Sequence, residues 1–342
     1  MPSDAGAGLS ATILGCEGTH LGPDEHAFFR DANPLGFILF ARNVDTPDQL
    51  CRLTRDLRNA LGRDAPILVD QEGGRVQRLR APHWREWLPP LEQVAGTAPE
   101  VMERSIWLRY RLIAAELRSV GIDANCAPSV DIARRQTHPF LRNRCFSDDL
   151  GTVIKAARAA ADGLLAGGVL PAVKHMPGHG RATMDSHLEL PRVDAGLMEL
   201  EQTDFAAFRA LADLPMALTA HIVFDAVDAG HPATSSARMI TVIRDMIGFD
   251  GLLISDDLSM QALSGSIGER AGAAIAAGCD IALHCNGKRA EMEAVVANAG
   301  TVGPKTAKRI ERALQARQTP DAIDTAHLEA EFEALLKEPR NG

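Results

Sequence analysis

Short apolar runs that alternate with longer segments at helical spacing constrain the fold of this chain more than any other feature. The runs cover 11–18, 36–40, 65–70, 121–132, 171–178, 215–222, 251–257 and 280–286. Runs of this length bounded by turn residues predict strands. Strands that alternate with helices form parallel sheets, and eight such units predict an α/β fold, a single (β/α)8 barrel of the TIM type. An open doubly wound sheet is the alternative, because it requires no particular number of strands.

The segments between the runs support this interpretation. In 152–166 the apolar residues recur on one helical face, and the two glycines that follow predict a helix stop. The segment 236–247 shows the same spacing after serines that could cap it. The end of the chain, 320–342, predicts an amphipathic helix with a frayed terminus. Because no linker or low-complexity tract interrupts the sequence, residues 1–342 are expected to form one catalytic barrel with a C-terminal helical tail.

Composition excludes several classes of partner. The net charge is -9 and the pI is near 5.7, whereas a nucleic-acid partner requires a concentrated basic face. The N-terminus lacks the basic and apolar regions of a signal peptide, and no run approaches the ~18 apolar residues of a membrane span. The six cysteines form no CxxC pair. We therefore expect a cytoplasmic monomer with reduced thiols that acts on a small molecule, with no membrane or nucleic-acid partner.

Polar residues follow the apolar runs at equivalent positions. They are Asp70, Asp131, Lys174, His175, His221, Asp256, Asp257 and Asn286. In a βα barrel the catalytic groups come from the carboxyl ends of the strands, because the strands are rigid and the loops above them can vary. Each residue alone could be a helix cap or a surface residue, but the set predicts a shared site at one end of the barrel.

The segment "DQEGGRVQRLR" (70–80) combines a glycine pair with charged residues. Gly73 and Gly74 allow a tight turn that a β-carbon would obstruct, so Asp70, Arg75 and Arg78 can converge on a polar ligand. The segment matches neither the dinucleotide fingerprint nor the phosphate-binding P-loop. The alternative is a turn with a surface ion pair.

The segment "LISDDLSM" (253–260) places two adjacent carboxylates at the end of an apolar strand. Because successive side chains of a strand point to opposite sides, only one of Asp256 and Asp257 should face the barrel mouth. The other is expected to cap the next helix or brace a neighbour. Next to Lys174 or Arg144, the inward carboxylate could be a nucleophile toward a sugar carbon or a metal ligand.

The segment "KHMPGHGRATMDSH" (174–187) contains three histidines, His175, His179 and His187. Together with Asp256 they could bind a metal, which would make the protein a metal-dependent hydrolase. However, their spacing matches no helical zinc pattern, and Lys174 would place a positive charge beside the cation. We therefore expect no metal and no cofactor.

The three histidines are expected to differ in role. His179 follows a Pro-Gly turn and is predicted to be a hydrogen-bonded turn residue. Asp185, two residues before His187, can hold that imidazole in one tautomer and stabilise its protonated form. Gly178 and Gly180 would allow the loop to bring His187 over a bound substrate. The Asp185–His187 pair therefore predicts proton transfer.

The three motifs "DQEGGRVQRL", "KHMPGHG…DSH" and "ISDDLSM", in this order, resemble those of glycoside hydrolase family 3. Within that family the chain is most similar to the single-domain bacterial β-N-acetylglucosaminidases of peptidoglycan recycling. The resemblance implies a (β/α)8 barrel without a cofactor. It also implies that the enzyme removes terminal β-linked N-acetylglucosamine (GlcNAc) from fragments of the GlcNAc-anhydroMurNAc type, with retention and through a covalent glycosyl-enzyme.

The same resemblance implies roles for individual residues. Asp256 would be the nucleophile and His187 the acid/base, with Asp185 as its partner. Sugar contacts are implied for Asp70, Arg78, Arg144, Lys174 and His175. Most retaining glycosidases use two carboxyl groups, so a His–Asp pair would replace one of them here. Imidazole can supply and recover a proton near neutral pH, which satisfies the chemistry.

Two further alternatives stay open at this point. A barrel of this kind could bind sugar after losing catalysis, although the intact motif residues argue against that. The enzyme could also be a phosphorylase, in which phosphate replaces water in the second step.

Overall fold

Eight parallel strands form the centre of the molecule in the computed structural model, which describes residues 8–184 and 190–337. These strands are β1 (Ser10–Gly15), β2 (Pro34–Leu39), β3 (Ile67–Val69), β4 (Ala124–Asn125), β5 (Leu170–Met176), β7 (Met216–Thr219), β9 (Leu252–Ile254) and β10 (Ala282–His284). They pair in chain order, and β10 pairs with β1. A parallel bridge between Ile254 and Ile281 joins β9 to the start of β10. The predicted (β/α)8 barrel of the TIM type is therefore confirmed.

Two short strands lie outside the barrel. The strand β6 (Arg192–Val193) pairs in parallel with β8 (Val223–Phe224). They belong to the connections that follow β5 and β7, so they join two loops at the carboxyl end of the barrel. The sequence patterns did not predict this pairing, because two-residue strands carry no periodic signal.

Helices cover the outside of the barrel and extend beyond it at the C-terminus. They are α1 (Pro23–Ala32), α2 (Pro47–Leu61), α3 (Pro90–Gly96), α4 (Met102–Ser119), α5 (Pro139–Arg142), α6 (Leu150–Ala166), α7 (Leu197–Gln202), α8 (Asp204–Arg209), α9 (Ala237–Thr241), α10 (Ile267–Ala277), α11 (Arg289–Ala299), α12 (Pro304–Gln315) and α13 (Thr325–Lys337). Short 3-10 segments span Ala41–Asn43 and Ala233–Ser235, and a π-helical turn spans Val242–Met246. Among the described residues, no helix is long and apolar enough to cross a lipid bilayer.

The predicted helices are confirmed, with adjusted bounds. The helix α6 matches the segment predicted at 152–166. The segment 236–247 is α9 followed by the π-helical turn, and Ser236 caps it by accepting a hydrogen bond from the Met239 N–H at 3.1 Å. The C-terminal helix is α13, whose Phe332 is buried against the ring of Trp87 at 5.6 Å.

Some predicted strands are much shorter in the structure. The run 121–132 contributes only Ala124–Asn125 to the sheet. Pro128 has no N–H to donate, and beyond it only a single bridge, between Ser129 and Lys174, connects this segment to β5. The chain therefore leaves the sheet early and forms the irregular rim on which Asp131 lies.

Apolar side chains fill the interior of the barrel, and ion pairs lie at the amino ends of its strands. The interior layer includes Ile13, Ile38, Leu68, Leu170, Leu218, Ile254 and Leu283. At the amino ends, fully buried Asp123 accepts hydrogen bonds from the Ile67 N–H at 2.8 Å and from Arg58 at 3.0 Å. Because this end is packed and its charges are paired, the carboxyl ends of the strands are left to form a cavity.

Candidate active site

A cavity of about 450 Å³ opens at the carboxyl ends of the barrel strands. Its polar lining comprises Asp70, Arg75, Arg78, His138, Arg144, Lys174, His175, His179, Asp256 and Asp257. Its apolar lining includes Ile38, Phe40, Cys126, Phe140, Leu218, Met260, Leu283 and Cys285. The five sugar-contact residues that the sequence analysis named, together with Asp256, therefore border one cavity.

Lys174 is the centre of a charged network along one wall. Its Nζ atom lies 2.6 Å from an oxygen of Asp70 and 2.6 Å from an oxygen of Glu72. Arg144 donates two hydrogen bonds to the Glu72 carboxylate, at 2.8 and 2.9 Å. Arg78 donates to the second oxygen of Asp70 at 2.9 Å. Two carboxylates and three cations are thus linked, and their positions hold each other.

The pKa values of Asp70, Glu72, Arg144 and Lys174 are all shifted in the direction that favours the charged form. Burial alone would raise the pKa of both carboxyl groups, but Lys174, Arg78 and Arg144 lower the pKa of Asp70, and Arg144 and Lys174 lower the pKa of Glu72. Burial would lower the pKa of Lys174, but Asp70 and Glu72 outweigh it and raise that pKa. The wall therefore stays ionised across the physiological pH range.

His175 is held in one tautomer on the same wall. Its Nδ1–H donates to the Asp131 carboxylate at 2.7 Å, and its Nε2 atom faces Arg144 Nη2 at 3.2 Å. Because a guanidinium only donates, Nε2 is the acceptor there. The Lys174–His175 peptide bond is cis, and both side chains border the cavity. Burial opposes ionisation of Asp131, but His175 and the His179 N–H lower its pKa.

His179 shapes the turn, in agreement with its predicted role, and it also borders the cavity. Its N–H donates to Asp131 at 2.6 Å, and its ring meets that of His175 edge-on at 5.4 Å. Burial and the neighbouring His175 lower the pKa of His179 to about 3, so the ring is neutral. Its buried Nε2 atom has no hydrogen-bond partner within residues 8–184 and 190–337.

Both adjacent aspartates border the cavity, so the prediction that only one would face the barrel mouth is wrong, but the two differ in their hydrogen bonds. The Asp257 carboxylate accepts hydrogen bonds from Ser259 N–H at 3.0 Å, from the Ser259 hydroxyl at 2.6 Å and from Cys285 N–H at 3.2 Å. Asp256 accepts one, from the Asp257 N–H to Oδ1 at 2.9 Å. Among the described residues, no group donates to Asp256 Oδ2. Asp257 therefore braces β10, and Asp256 presents an oxygen to the cavity.

Asp256 is ionised where it lies. Burial acts to raise its pKa, but His221, His175, the Asp257 N–H and Lys174 together lower it below the ordinary aspartate value. Its own N–H donates to the Thr219 hydroxyl at 3.2 Å, which fixes the backbone at the end of β9. An ionised carboxylate with an uncommitted oxygen is suited to nucleophilic attack.

Three of the predicted strand-end residues lie at the same rim without bordering the cavity: Asp131, described above, His221 and Asn286. His221 is fully buried, and its Nε2–H donates to the Asp257 carbonyl at 3.0 Å. Asn286 donates to Glu291 at 2.6 Å and accepts from the Lys288 N–H at 2.9 Å. His221 therefore supports the backbone behind the aspartate pair, and Asn286 orders the loop after β10.

Arginine–aromatic contacts form the mouth of the cavity. The Arg78 guanidinium lies 4.9 Å from the ring centre of Phe40, and that of Arg75 lies 3.3 Å from the ring centre of Phe140. Arg75 is exposed at the entrance, whereas Arg78 reaches inward to Asp70. Sequence analysis named both arginines but missed both aromatic residues.

Asp185 and His187 lie outside the residues that the structure describes. The chain that precedes them is attached to the rim at two described points. The Thr137 hydroxyl donates to the Gly180 carbonyl at 2.5 Å, and the His138 N–H donates to the Ala182 carbonyl at 2.9 Å. Ala182 and Met184 themselves border the cavity.

Glu72 is the main residue that sequence analysis missed. It is 1% exposed and joins Lys174 to Arg144, but it does not border the cavity. A signal was present in the sequence, because burying several cations at one site requires matching carboxylates and Asp70 alone is not enough. Within the described part of the chain, no group of three or more His, Cys, Asp or Glu residues is arranged to hold a metal ion.

Comparison with known proteins identifies the family of the chain. Residues 24–316 match the family described as "Glycosyl hydrolase family 3 N terminal domain". The chain belongs to glycosyl hydrolase family 3. It is 40% identical to a beta-hexosaminidase of Methylococcus capsulatus over 79% of this chain and 80% of that protein. It is 37% identical to a beta-hexosaminidase of Tolumonas auensis over 82% of this chain and 84% of that protein.

Solved structures of this glycosyl hydrolase family are similar over almost the whole chain. NagZ from Neisseria gonorrhoeae has a TM-score of 0.81 and 30% identity, with 97% of both chains covered. A family 3 beta-N-acetylglucosaminidase from a Paenibacillus strain has a TM-score of 0.83 and 26% identity, covering 95% of this chain and 67% of its own. The protein is a glycoside hydrolase of the β-N-acetylhexosaminidase type, and its substrate is a carbohydrate.

Proposed function

We propose that this enzyme removes terminal β-linked GlcNAc from peptidoglycan fragments of the GlcNAc-anhydroMurNAc type, with retention and through a covalent glycosyl-enzyme. The observation that carries the proposal is the position of Asp256. It is an ionised carboxylate with an uncommitted oxygen, and it borders the same cavity as the network around Lys174. This arrangement supplies a nucleophile and a polar wall for one sugar residue.

The cavity favours a single terminal sugar. Its volume of about 450 Å³ is at the lower end of ligand sites, and the apolar interior of the barrel closes its floor. Asp70, Arg78, Arg144, Lys174 and His175 are proposed to bind the sugar hydroxyls. Because these groups already hold each other, they are pre-arranged and little ordering is required on binding.

The proposed chemistry has two steps. In the first, Asp256 attacks the anomeric carbon while the glycosidic C–O bond breaks, and His187 donates its proton to the departing oxygen. In the second, His187 accepts a proton from water, which attacks the anomeric carbon and releases Asp256. The support for His187 and for its partner Asp185 is the sequence motif.

The biological setting is part of the same proposal. All six cysteines are free and five of them are buried, which suits a reducing compartment. We therefore propose that the enzyme acts in the cytoplasm on recycled cell-wall fragments. The barrel's own loops would then complete the site in a monomer.

Trapping the intermediate tests the mechanism. A 5-fluoro analogue of a β-GlcNAc fluoride should label Asp256, as shown by mass spectrometry of peptides, with a chelator present throughout. Asp256→Asn should release no aryl group from an aryl β-GlcNAc and take no label. The control is Asp148→Asn, which alters an exposed carboxylate outside the cavity and should behave as wild type. Label on another residue would overturn the nucleophile assignment.

The choice of substrate is tested separately. Cleavage of GlcNAc-anhydroMurNAc should show a higher kcat/KM than cleavage of the GlcNAc dimer of chitin. Equal values for the two disaccharides would contradict the cell-wall role without affecting the glycosidase assignment.

A further inference from the structure

Arg109 is a buried cation directly behind the Glu72 segment. It lies on α4 and is fully buried. Its Nη2 atom donates to the carbonyl oxygens of Glu72 at 2.6 Å and Leu88 at 2.7 Å, and its Nη1 atom donates to the side chain of Gln93. Within the described residues, no carboxylate lies within ion-pair distance of Arg109. Its acceptors are uncharged.

This arrangement would be unfavourable if Arg109 served only to stabilise the fold, because a buried charge without a charged partner costs free energy. Burial lowers the pKa of Arg109, yet a guanidinium remains protonated in proteins, so a full charge is held by neutral acceptors and by the ring of Trp87 at 5.6 Å. Arg244, at the opposite end of the barrel, is paired with a carboxylate, which is the usual arrangement. It also donates to two backbone carbonyls, but it pairs with Asp280 at 2.7 Å.

Gly73 provides the space that Arg109 occupies. A β-carbon at Gly73 would lie 2.7 Å from the Leu88 carbonyl oxygen and still closer to Arg109 Nη2. The φ angle of Gly73 is also +108°, which side chains rarely adopt. The glycine in the "EGG" sequence is therefore required both by its own backbone and by the guanidinium behind it.

We propose that Arg109 is a positioning residue for sugar hydrolysis, acting through Glu72. Arg109 holds the Glu72 carbonyl, and the Glu72 carboxylate holds Lys174 at 2.6 Å and Arg144 at 2.8 Å. Lys174 and Arg144 border the cavity, whereas Arg109 and Glu72 do not. A shift of the Glu72 backbone would displace both cations together. The inference rests on the proposal that these two cations bind the sugar.

A double-mutant cycle tests this route. Arg109→Lys keeps the charge but has one donor nitrogen in place of two, so it cannot hold the Gln93 side chain and the two carbonyls together. It should lower kcat/KM for an aryl β-GlcNAc about 10-fold, mainly through KM, because misplacement of binding groups is costly. Glu72→Gln should lower it further. The double variant should match Glu72→Gln alone, because Arg109 acts only through Glu72. The dissociation constant of free GlcNAc, measured by calorimetry, should follow the same pattern.

The control separates positioning from general stability. Arg244→Met removes a partly buried arginine with two carbonyl acceptors at the far end of the barrel, so it should lower Tm and leave kcat/KM unchanged. Arg109→Met repeats the double-mutant cycle with a side chain that carries no charge. If that variant does not fold, the cycle with Arg109→Lys alone tests the inference. Additive losses in the cycle, or wild-type values for a folded Arg109→Lys, would overturn the inference. GlcNAc binding does not require Asp256 chemistry, so a failed nucleophile assignment would leave this test intact.

Discussion

The Nζ atom of Lys174 lies 2.6 Å from Glu72 Oε1, although Glu72 does not border the cavity. Lys174 is 3% exposed at its side chain and Glu72 is 1% exposed. A buried ammonium requires a nearby carboxylate, and the second one, Asp70, borders the cavity. Glu72 therefore stabilises the charge of Lys174 from the side away from the cavity.

Replacing Glu72 by Gln should damage both stability and binding. Removing one partner of a buried ion pair costs about 3–5 kcal/mol, because the remaining charge is left uncompensated. The free energy of unfolding, measured by urea titration, should fall by that order and KM should rise. Glu86→Gln, which removes an exposed partner of Arg80, is the control and should change the unfolding free energy by less than about 1 kcal/mol. Equal stability of the two variants would contradict the role of Glu72.

The pH profile of kcat/KM should have its acid limb below the usual aspartate range. The pKa of Asp256 is lowered in the folded protein, so the carboxylate stays ionised until the pH falls below 3.8. Loss of activity on the acid side is expected only below that value, measured by initial rates over a time in which the protein stays folded. An acid limb centred above about pH 5 would show that the environment does not favour the ionised carboxylate.

Asp131 should contribute stability that is lost in acid. Its folded pKa lies below its unfolded value of 3.8. The stabilisation is therefore fully present above that value and disappears as the pH falls through the folded pKa. Asp131→Asn should be less stable than wild type at pH 6, and the difference should shrink steadily below pH 3.8. Urea titrations at several pH values measure this difference in stability, and a difference independent of pH would argue against an ionised Asp131 carboxylate that accepts from His175.

Gly73→Ala should be far more harmful than a glycine substitution in open space. Gly248 is the matched control, because its φ of +83° is also positive but a β-carbon added there would meet no atom within 4 Å. We expect Gly248→Ala to cost about 1 kcal/mol from the backbone alone. Gly73→Ala should exceed that and also reduce kcat/KM. Similar melting temperatures for the two variants would show that Arg109 and Leu88 can move aside.

The C-terminal helix should be part of the stable fold. Phe332 of α13 is 2% exposed and packs on Trp87. Phe332→Ala should lower the unfolding free energy by about 3–5 kcal/mol, as is usual for a buried aromatic residue. Glu329→Ala, an exposed position of the same helix, should have little effect. If both variants melted like wild type, α13 would not be docked in solution.

Local patterns predicted the barrel and much of the cavity. The eight apolar runs place strands correctly because a parallel barrel buries both faces of each strand, which leaves a continuous apolar signal. The residues that follow those runs meet at one end because parallel strands share a direction. This is why Asp70, Lys174 and Asp256 could be grouped from sequence.

The sequence by itself therefore determined the strand count, the end of the barrel that carries the site and the identity of most polar residues bordering it. Only the tertiary structure decided which of the charged groups pair with one another. Glu72 meets Arg144 across 72 residues, and Asp131 meets His175 across 44. Arg109 reaches the Glu72 carbonyl, in the loop after β3, from helix α4. Such pairings depend on how the barrel closes and how α4 packs on it, because a buried charge must find its partner in space and not along the chain.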